Sequence, residues 1–493
     1  MYLTDPVTIV LSIVTCVFLA IFSFSQKKKV YPNYPPGPPC LPIIGNLHII
    51  NKSKPYITFH ELAEKYGSIY NLKIGSQKMV MLCGYETVKD ALVNHANEFS
   101  GRPQVPIFFD VFKDHGLIFS NGDNWKAMRR FTLSTLRDFG MGKRTLEDNI
   151  TEECQHLIKV FKAYKGKPFE NTMIMNGSVA NIIVSILLGH RFDYDDPKLL
   201  RLLTIVNDNA RIVGSPMVLL YNAFPSLVRW LPGSHREVNP NADELKSFIR
   251  ETFTKQRNQL DVNDQRNLID VFLVKQREEK PNPELYFSDT NLTILVMDLF
   301  AAGMETTSTT LRWGLLLMMK YPEIQKNVQK EIEKVIGSGV PCLIHRKQMP
   351  YTDAVIHEIQ RFANIVPTNV PHATTQDVIF KGFFIPKGTQ VIPLLYSVLR
   401  DKEHFQKPEQ FYPQHFLDSE GNFVNNEAFI PFSAGKRSCA GETLAKMELF
   451  LFFTTLLQNF TFQAPPGEKL DLTGAVGFTT PPIKHNICAI PRS

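Results

Sequence analysis

Residues 432–441 read FSAGKRSCAG, and an apolar stretch with helical periodicity, Glu442 to Leu457, follows at once. One cysteine, Cys439, stands between Gly435 and Gly441, two residues after Arg437. Burying a bare thiolate is costly, so a reactive cysteine here needs compensating charge or a metal. The glycines permit turns and close backbone approach that a Cβ would block. The following helix offers free N–H groups and a dipole that favour anionic sulfur. Arg437 offers a fork suited to a carboxylate.

The rest of the chain bounds what this loop can be. At 493 residues the sequence can fill two or three domains by length alone. Hydrophobic residues make up 44% and charged residues 21%, which excludes a disordered chain. The net charge of +6 fits an acidic partner or an anionic membrane surface. No dense Lys/Arg block marks a nucleic-acid partner. The seven cysteines are scattered, odd in number and free of C-x-x-C spacing, so a disulfide framework or zinc ribbon is not expected. Such usage suits a reducing compartment.

Val7 to Phe24 carries no charge and is near the minimum length for a spanning helix. Asp5 precedes it and Lys27, Lys28 and Lys29 follow, which puts the N-terminus in the lumen and the remainder in the cytosol. A cleaved signal peptide competes, but it calls for a basic start. Residues 1–29 are therefore expected to be an anchor with a basic stop. Residues 30–46, rich in proline from Pro35 to Pro42, are expected to be a stiff linker, and 47–493 one catalytic domain.

Within the globule, residues 68–82 alternate around Gly75-Ser76 as a β-hairpin. Residues 378–393 are strand-like, with Gly382, Pro386 and Gly388 as turn residues. Most other segments are helical, so the fold class is mainly α with a small β region. The stretch 288–322 predicts a buried helix, capped by Ser288 or Asp289 and stopped by Pro322. Its middle, AGMETT (302–307), is polar. The Thr306 hydroxyl can turn back to the carbonyl of Ala302 and bend the helix, with Glu305 beside it. Two readings stand: a packing kink with a satisfied carboxylate, or a place for a small ligand or water chain.

One thiolate is a poor match for zinc or an iron–sulfur cluster. A haem fits better, with Cys439 for the iron and arginine for the propionates; a plain buried cysteine in a glycine-rich turn is the alternative. FSAGKRSCAG resembles the haem-ligand signature F-x-x-G-x-R-x-C-x-G of the cytochrome P450 superfamily at every position. AGMETT resembles that family's oxygen-activation motif, EIQR (358–361) its E-x-x-R motif and NWKAMRR (124–130) its W-x-x-x-R element. FYPQHF (411–416) is similar to F-x-P-x-R-F, with His415 in place of arginine. The order of these motifs spans the chain, and the whole is most similar to a microsomal family-2 member.

The resemblance implies a cytochrome P450 fold with an N-terminal transmembrane anchor helix. It implies haem b with Cys439 as axial ligand, and Arg102, Trp125, Arg129, His372 and Arg437 at the propionates. Thr306 and Glu305 become the catalytic alcohol and acid, which deliver protons so that one oxygen atom enters the substrate and the other leaves as water. Glu358, Arg361 and His415 become a structural scaffold under the cysteine loop. Candidate substrate contacts are Phe108, Phe112, Ile118, Phe119 and Ala302, then Val366, Asn369, Val370, Phe478 and Thr479. The substrate is then a lipophilic small molecule: xenobiotic, fatty acid or steroid.

No flavin or dinucleotide motif is present. Electrons are therefore expected from NADPH through a membrane-bound reductase, with cytochrome b5 as an auxiliary, at the endoplasmic reticulum membrane and in contact with its lipid. Lys126, Arg130, Arg137, Lys143, Arg144 and Lys436 form a candidate docking face. An isomerase or dehydratase on the same fold, or a haem sensor, are the rival readings.

Overall fold

The chain is described by a computed structural model that covers residues 5–25, 32–279 and 286–492, with backbone alone for residues 18–25. The hairpin forms as the alternation predicts. Strands Ile69–Ile74 and Gln77–Leu82 pair antiparallel, and Ile74 faces Gln77 across the Gly75-Ser76 turn. Gly75 takes φ +58°, the positive angle that a primed two-residue hairpin turn requires at its first position. The segment 378–393 divides between two sheets. Val378–Phe380 and Phe383–Ile385 make a separate ribbon. Gln390–Pro393 joins Gln77–Leu82 in parallel and takes His372–Ala373 on its far edge. A third sheet brings Phe169–Glu170, Asn486–Pro491 and Phe460–Gln463 together.

Helices supply the rest of the body. The segment Asp289–Lys320 forms one helix through its centre. The Ser288 hydroxyl caps it, accepting the Asn291 amide at 3.2 Å. Pro322 cannot continue that helix and opens the next, Pro322–Val335. The central helix lies along Thr172–Leu188 and also meets Pro350–Ala363 and Glu442–Asn459. All four are buried on most faces, and packing their apolar side chains against one another drives the fold.

The proline segment does not stand off as a spacer from Pro35 onward. The Pro36 carbonyl accepts the Asn71 amide at 2.7 Å, and Asn46 Oδ1 accepts the Lys73 amide at 2.8 Å. This stretch is therefore laid on the first strand of the hairpin. The N-terminal segment is helical over Pro6–Ser25, and its described side chains from Val7 to Val17 are almost all exposed and apolar. Lys27, Lys28 and Lys29 lie outside the described residues. Among the described residues, no helix is long and apolar enough to cross a membrane.

Candidate active site

The cysteine loop is set by backbone contacts. The Cys439 amide donates to the Phe432 carbonyl at 3.0 Å. Its sulfur accepts from the amides of Gly441 and Glu442, where the helix Glu442–Asn459 begins. Gly435 takes φ +71°, and a Cβ there would stand 1.7 Å from the Leu92 carbonyl oxygen. Only glycine permits that approach. The Cys439 side chain is exposed, yet the surrounding protein desolvates it enough to push its thiol pKa up. Both hold when the sulfur opens into an interior space rather than into bulk water.

The central helix borders an interior space as well. It is buried from Asn291 to Phe300 and from Thr307 to Met319, but Ala302 is exposed and Ala301, Gly303 and Thr306 are half-buried. The Thr306 hydroxyl donates to the Ala302 carbonyl at 2.7 Å, the back-bond expected from the sequence, and the helix runs through it unbroken. Glu305 points to the buried side. Its Oε1 accepts from Thr479 at 2.8 Å and from Thr309 at 3.4 Å. Burial raises its carboxyl pKa, opposed by the Thr479 bond and by Arg312.

Three arginines and a histidine crowd the cysteine loop. Arg437 lies over the Trp125 ring, 3.8 Å from its centre. It donates to the carbonyls of Ser100 at 2.8 Å and Ser120 at 2.7 Å, and its Nη1 has no partner. Arg102 donates to the carbonyls of Ile118, Val370 and Pro371. Arg129 donates to the Ser438 carbonyl at 2.9 Å. His372 Nδ1 meets the Phe99 carbonyl at 2.7 Å, and its buried Nε2 is orphaned.

Among the described residues no carboxylate pairs with any of these three arginines within 4.0 Å. Burial and then Arg129 bring the Arg102 pKa down to about 9. Burial and then Arg102 and Arg129 bring Arg437 to about 8. Burial and Arg102 push His372 well below its ordinary value. Unpaired buried cations are costly, and each lowered pKa records that cost. Orphaned donors, like charges in one place and a thiol at a helix start fit a metal-bearing group with carboxylate arms. Among the described residues no cluster of three His, Cys, Asp or Glu can hold a bare ion instead.

The family model described as Cytochrome P450 matches residues 35–489. The chain belongs to the cytochrome P450 family. It is 49% identical to cytochrome P450 2K4 of Oncorhynchus mykiss, over 93% of this chain and 92% of that one. It is 46% identical to cytochrome P450 2C5 of Oryctolagus cuniculus, over 99% and 100%. It is 45% identical to cytochrome P450 2E1 of Rattus norvegicus, over 99% of each. The protein is therefore a family-2-like P450 monooxygenase that binds haem b through a cysteine thiolate.

Elsewhere in this P450, Glu358 and Arg361 are both fully buried and paired, Nε to Oε2 at 2.7 Å and Nη2 to Oε1 at 2.8 Å. The Arg361 guanidinium also donates to the carbonyls of Leu399, Pro408 and Gln410, so all five of its N–H groups have acceptors. His415 Nδ1 lies 3.1 Å from Glu358 Oε2, and its Nε2 accepts the Lys407 amide at 3.2 Å. The ring hydrogen therefore sits on Nδ1. The arginine of the family pattern is replaced here by a single-hydrogen donor.

Apart from Ala302, the proposed substrate contacts fall into three groups. Phe108, Phe112 and Phe119 form one aromatic cluster, with Phe108 stacked on Phe119 at 4.2 Å and edge-on to Phe478 at 5.7 Å. Ile118, Val366 and Val370 are half-buried. Asn369 and Thr479 are already engaged. The Asn369 side chain donates to Ser433 at 2.9 Å and accepts its neighbour's amide, and Thr479 clamps Glu305.

Sequence reasoning took Asp298 only as a charge that argues against a second membrane span and gave it no role in the site. This fully buried acid accepts the amides of Leu117 at 2.7 Å and Ile118 at 3.1 Å, which ties the loop carrying Ile118 and Phe119 to the central helix. Burial pushes its pKa up to about 7, against those two bonds. An aspartate inside an otherwise apolar helix was the available signal.

Proposed function

We propose that Cys439 supplies the axial thiolate, and that Arg102, Trp125, Arg129, His372 and Arg437 hold the haem propionates. The observation that carries this is the set of buried, carboxylate-free cations around the cysteine loop. Bound haem activates oxygen, and its thiolate favours O–O cleavage. The chain's own part is positioning and proton supply. Glu305, its pKa raised by burial, keeps its proton to higher pH than a free glutamate and is held still by Thr479 and Thr309. Thr306, one residue on, keeps its hydroxyl oxygen beside the interior space and can accept and pass a proton. Phe108, Phe112, Phe119 and Phe478 exclude water and favour a lipophilic small molecule: xenobiotic, fatty acid or steroid.

Electrons come from NADPH through a separate membrane-bound reductase, with cytochrome b5 as an auxiliary. Lys126, Arg130, Arg137, Lys143, Arg144 and Lys436 are all exposed, which supports a docking face. Lys126 already pairs with Asp123 at 2.8 Å and contributes least. Residues 1–29 anchor the protein in the endoplasmic reticulum membrane with the N-terminus lumenal. Exposed apolar side chains on the globule at Leu227, Trp230 and Leu231 support a lipid-facing surface.

The deciding experiment is the carbon monoxide difference spectrum of reduced Cys439→Ala. Loss of the thiolate-type band in a folded protein is expected, and an unchanged band would remove Cys439 from the ligand role. Incorporation of label from ¹⁸O₂ with added reductase tests the electron route; turnover of a hydroperoxide alone would favour the isomerase chemistry.

A further inference from the structure

Away from the cysteine loop, an open cavity of about 490 Å³ lies between Asp110–Lys113 and the segment Tyr221–Arg236. Three cations line it, Lys113, Arg229 and Arg236, against the single carboxylate of Asp110. That carboxylate is already engaged: the Tyr221 hydroxyl donates to it and Arg229 lies 3.8 Å away. Lys113 and Arg236 have no ion pair among the described residues.

The cavity wall also contains His235. It is only 4% exposed, it stacks on Tyr221 at 5.2 Å, and both of its ring nitrogens lack a hydrogen-bond partner. A buried imidazole with neither nitrogen engaged is costly, and it keeps the ring as a neutral wall beneath the three cations. Beside this polar pocket stands Trp230, 80% exposed, with Leu227 at 66%. Tryptophan at such a site suits the boundary between headgroups and acyl chains.

We propose that this cavity binds the phosphate headgroup of an anionic membrane lipid. Lys113, Arg229 and Arg236 neutralise the phosphate, and Trp230 and Leu227 lie against the chains. Phosphate rather than carboxylate is the better match, because its several oxygens can serve three cations together. The proposal rests on membrane association of the globule, and its test separates the two.

Full-length, haem-loaded protein is titrated with phosphatidylcholine vesicles with and without phosphatidic acid, and with water-soluble dihexanoyl phosphatidic acid. Trp230 emission reports binding, since Trp125 and Trp313 are buried. Lys113→Ala and Arg236→Ala should each weaken binding to the phosphatidic-acid vesicles by about fivefold, with binding to plain phosphatidylcholine unchanged. The double variant Lys113→Ala/Arg236→Ala should abolish the emission shift caused by the soluble lipid. Equal binding by all variants overturns the proposal and leaves membrane association standing. An equal shift from inorganic phosphate also overturns it, since the site would then serve free phosphate. If the wild type ignores both vesicles yet shifts with the soluble lipid, the cavity assignment holds and membrane association falls.

Discussion

His415 Nδ1 donates to Glu358 Oε2 at 3.1 Å while its Nε2 accepts the Lys407 amide at 3.2 Å. One ring thereby joins the buried Glu358–Arg361 pair to the strip of chain that leads into the cysteine loop. His415→Ala removes one donor from Glu358 and one acceptor from Lys407, and should cost about 1–3 kcal/mol. Glu358→Gln leaves the Arg361 charge buried without its partner and should cost more, about 3–5 kcal/mol. Urea unfolding followed alongside haem absorbance checks the ranking. Equal stability of the two variants would mean that the pair is not the centre of the scaffold.

Asp298 should make stability depend on pH. Its ordinary value is 3.8, and burial lifts it to about 7 in the folded chain. Between those values the folded state binds more protons than the unfolded state. This contribution therefore stabilises at low pH and is lost as pH rises through about 7. Asp298→Asn keeps an acceptor oxygen for the Leu117 and Ile118 amides and removes the titration. It should flatten the pH dependence of the unfolding midpoint across this window, by up to about 1.4 kcal/mol per pH unit. Identical wild-type and variant pH profiles would contradict the assignment.

Thr306→Ala should leave haem binding intact and lower productive turnover by about 10²-fold, with NADPH electrons appearing as peroxide. Thr479→Val acts one step behind it. It removes the 2.8 Å bond that holds the Glu305 pKa down, so the acid should keep its proton to still higher pH. The high-pH limb of coupling should then move upward. Product-to-NADPH ratios across a pH series read both variants, and an unmoved limb would detach Thr479 from proton supply.

Removal of residues 1–29 should loosen membrane attachment without releasing the chain fully, because Leu227, Trp230 and Leu231 stay exposed. Sedimentation with microsomes measures this. Complete release of a haem-free, inactive protein would show that the segment is needed for folding instead.

The elements legible in the sequence are those fixed by neighbours along the chain. Ser288 caps the central helix, Gly75-Ser76 turns the hairpin and Thr306 bonds back to Ala302, each within four residues. The cysteine loop belongs with them, because its glycines and its helix start are local. What stayed hidden depends on residues far apart in sequence. The parallel pairing of Gln77–Leu82 with Gln390–Pro393 has no local signal. Nor does the engagement of Thr479 by Glu305, or of Asn369 by Ser433, and the family resemblance alone left both as wall candidates. The tautomer of His415 follows only once the Lys407 amide is seen to face it.

Gly435 sits where any side chain would strike the Leu92 carbonyl, so the sulfur-bearing loop takes its seat from the turn Asp90–Asn94, hundreds of residues upstream. During synthesis that receiving turn emerges well before the loop that it seats. A chain whose synthesis stops before residue 432 therefore holds the seat without the loop that fills it.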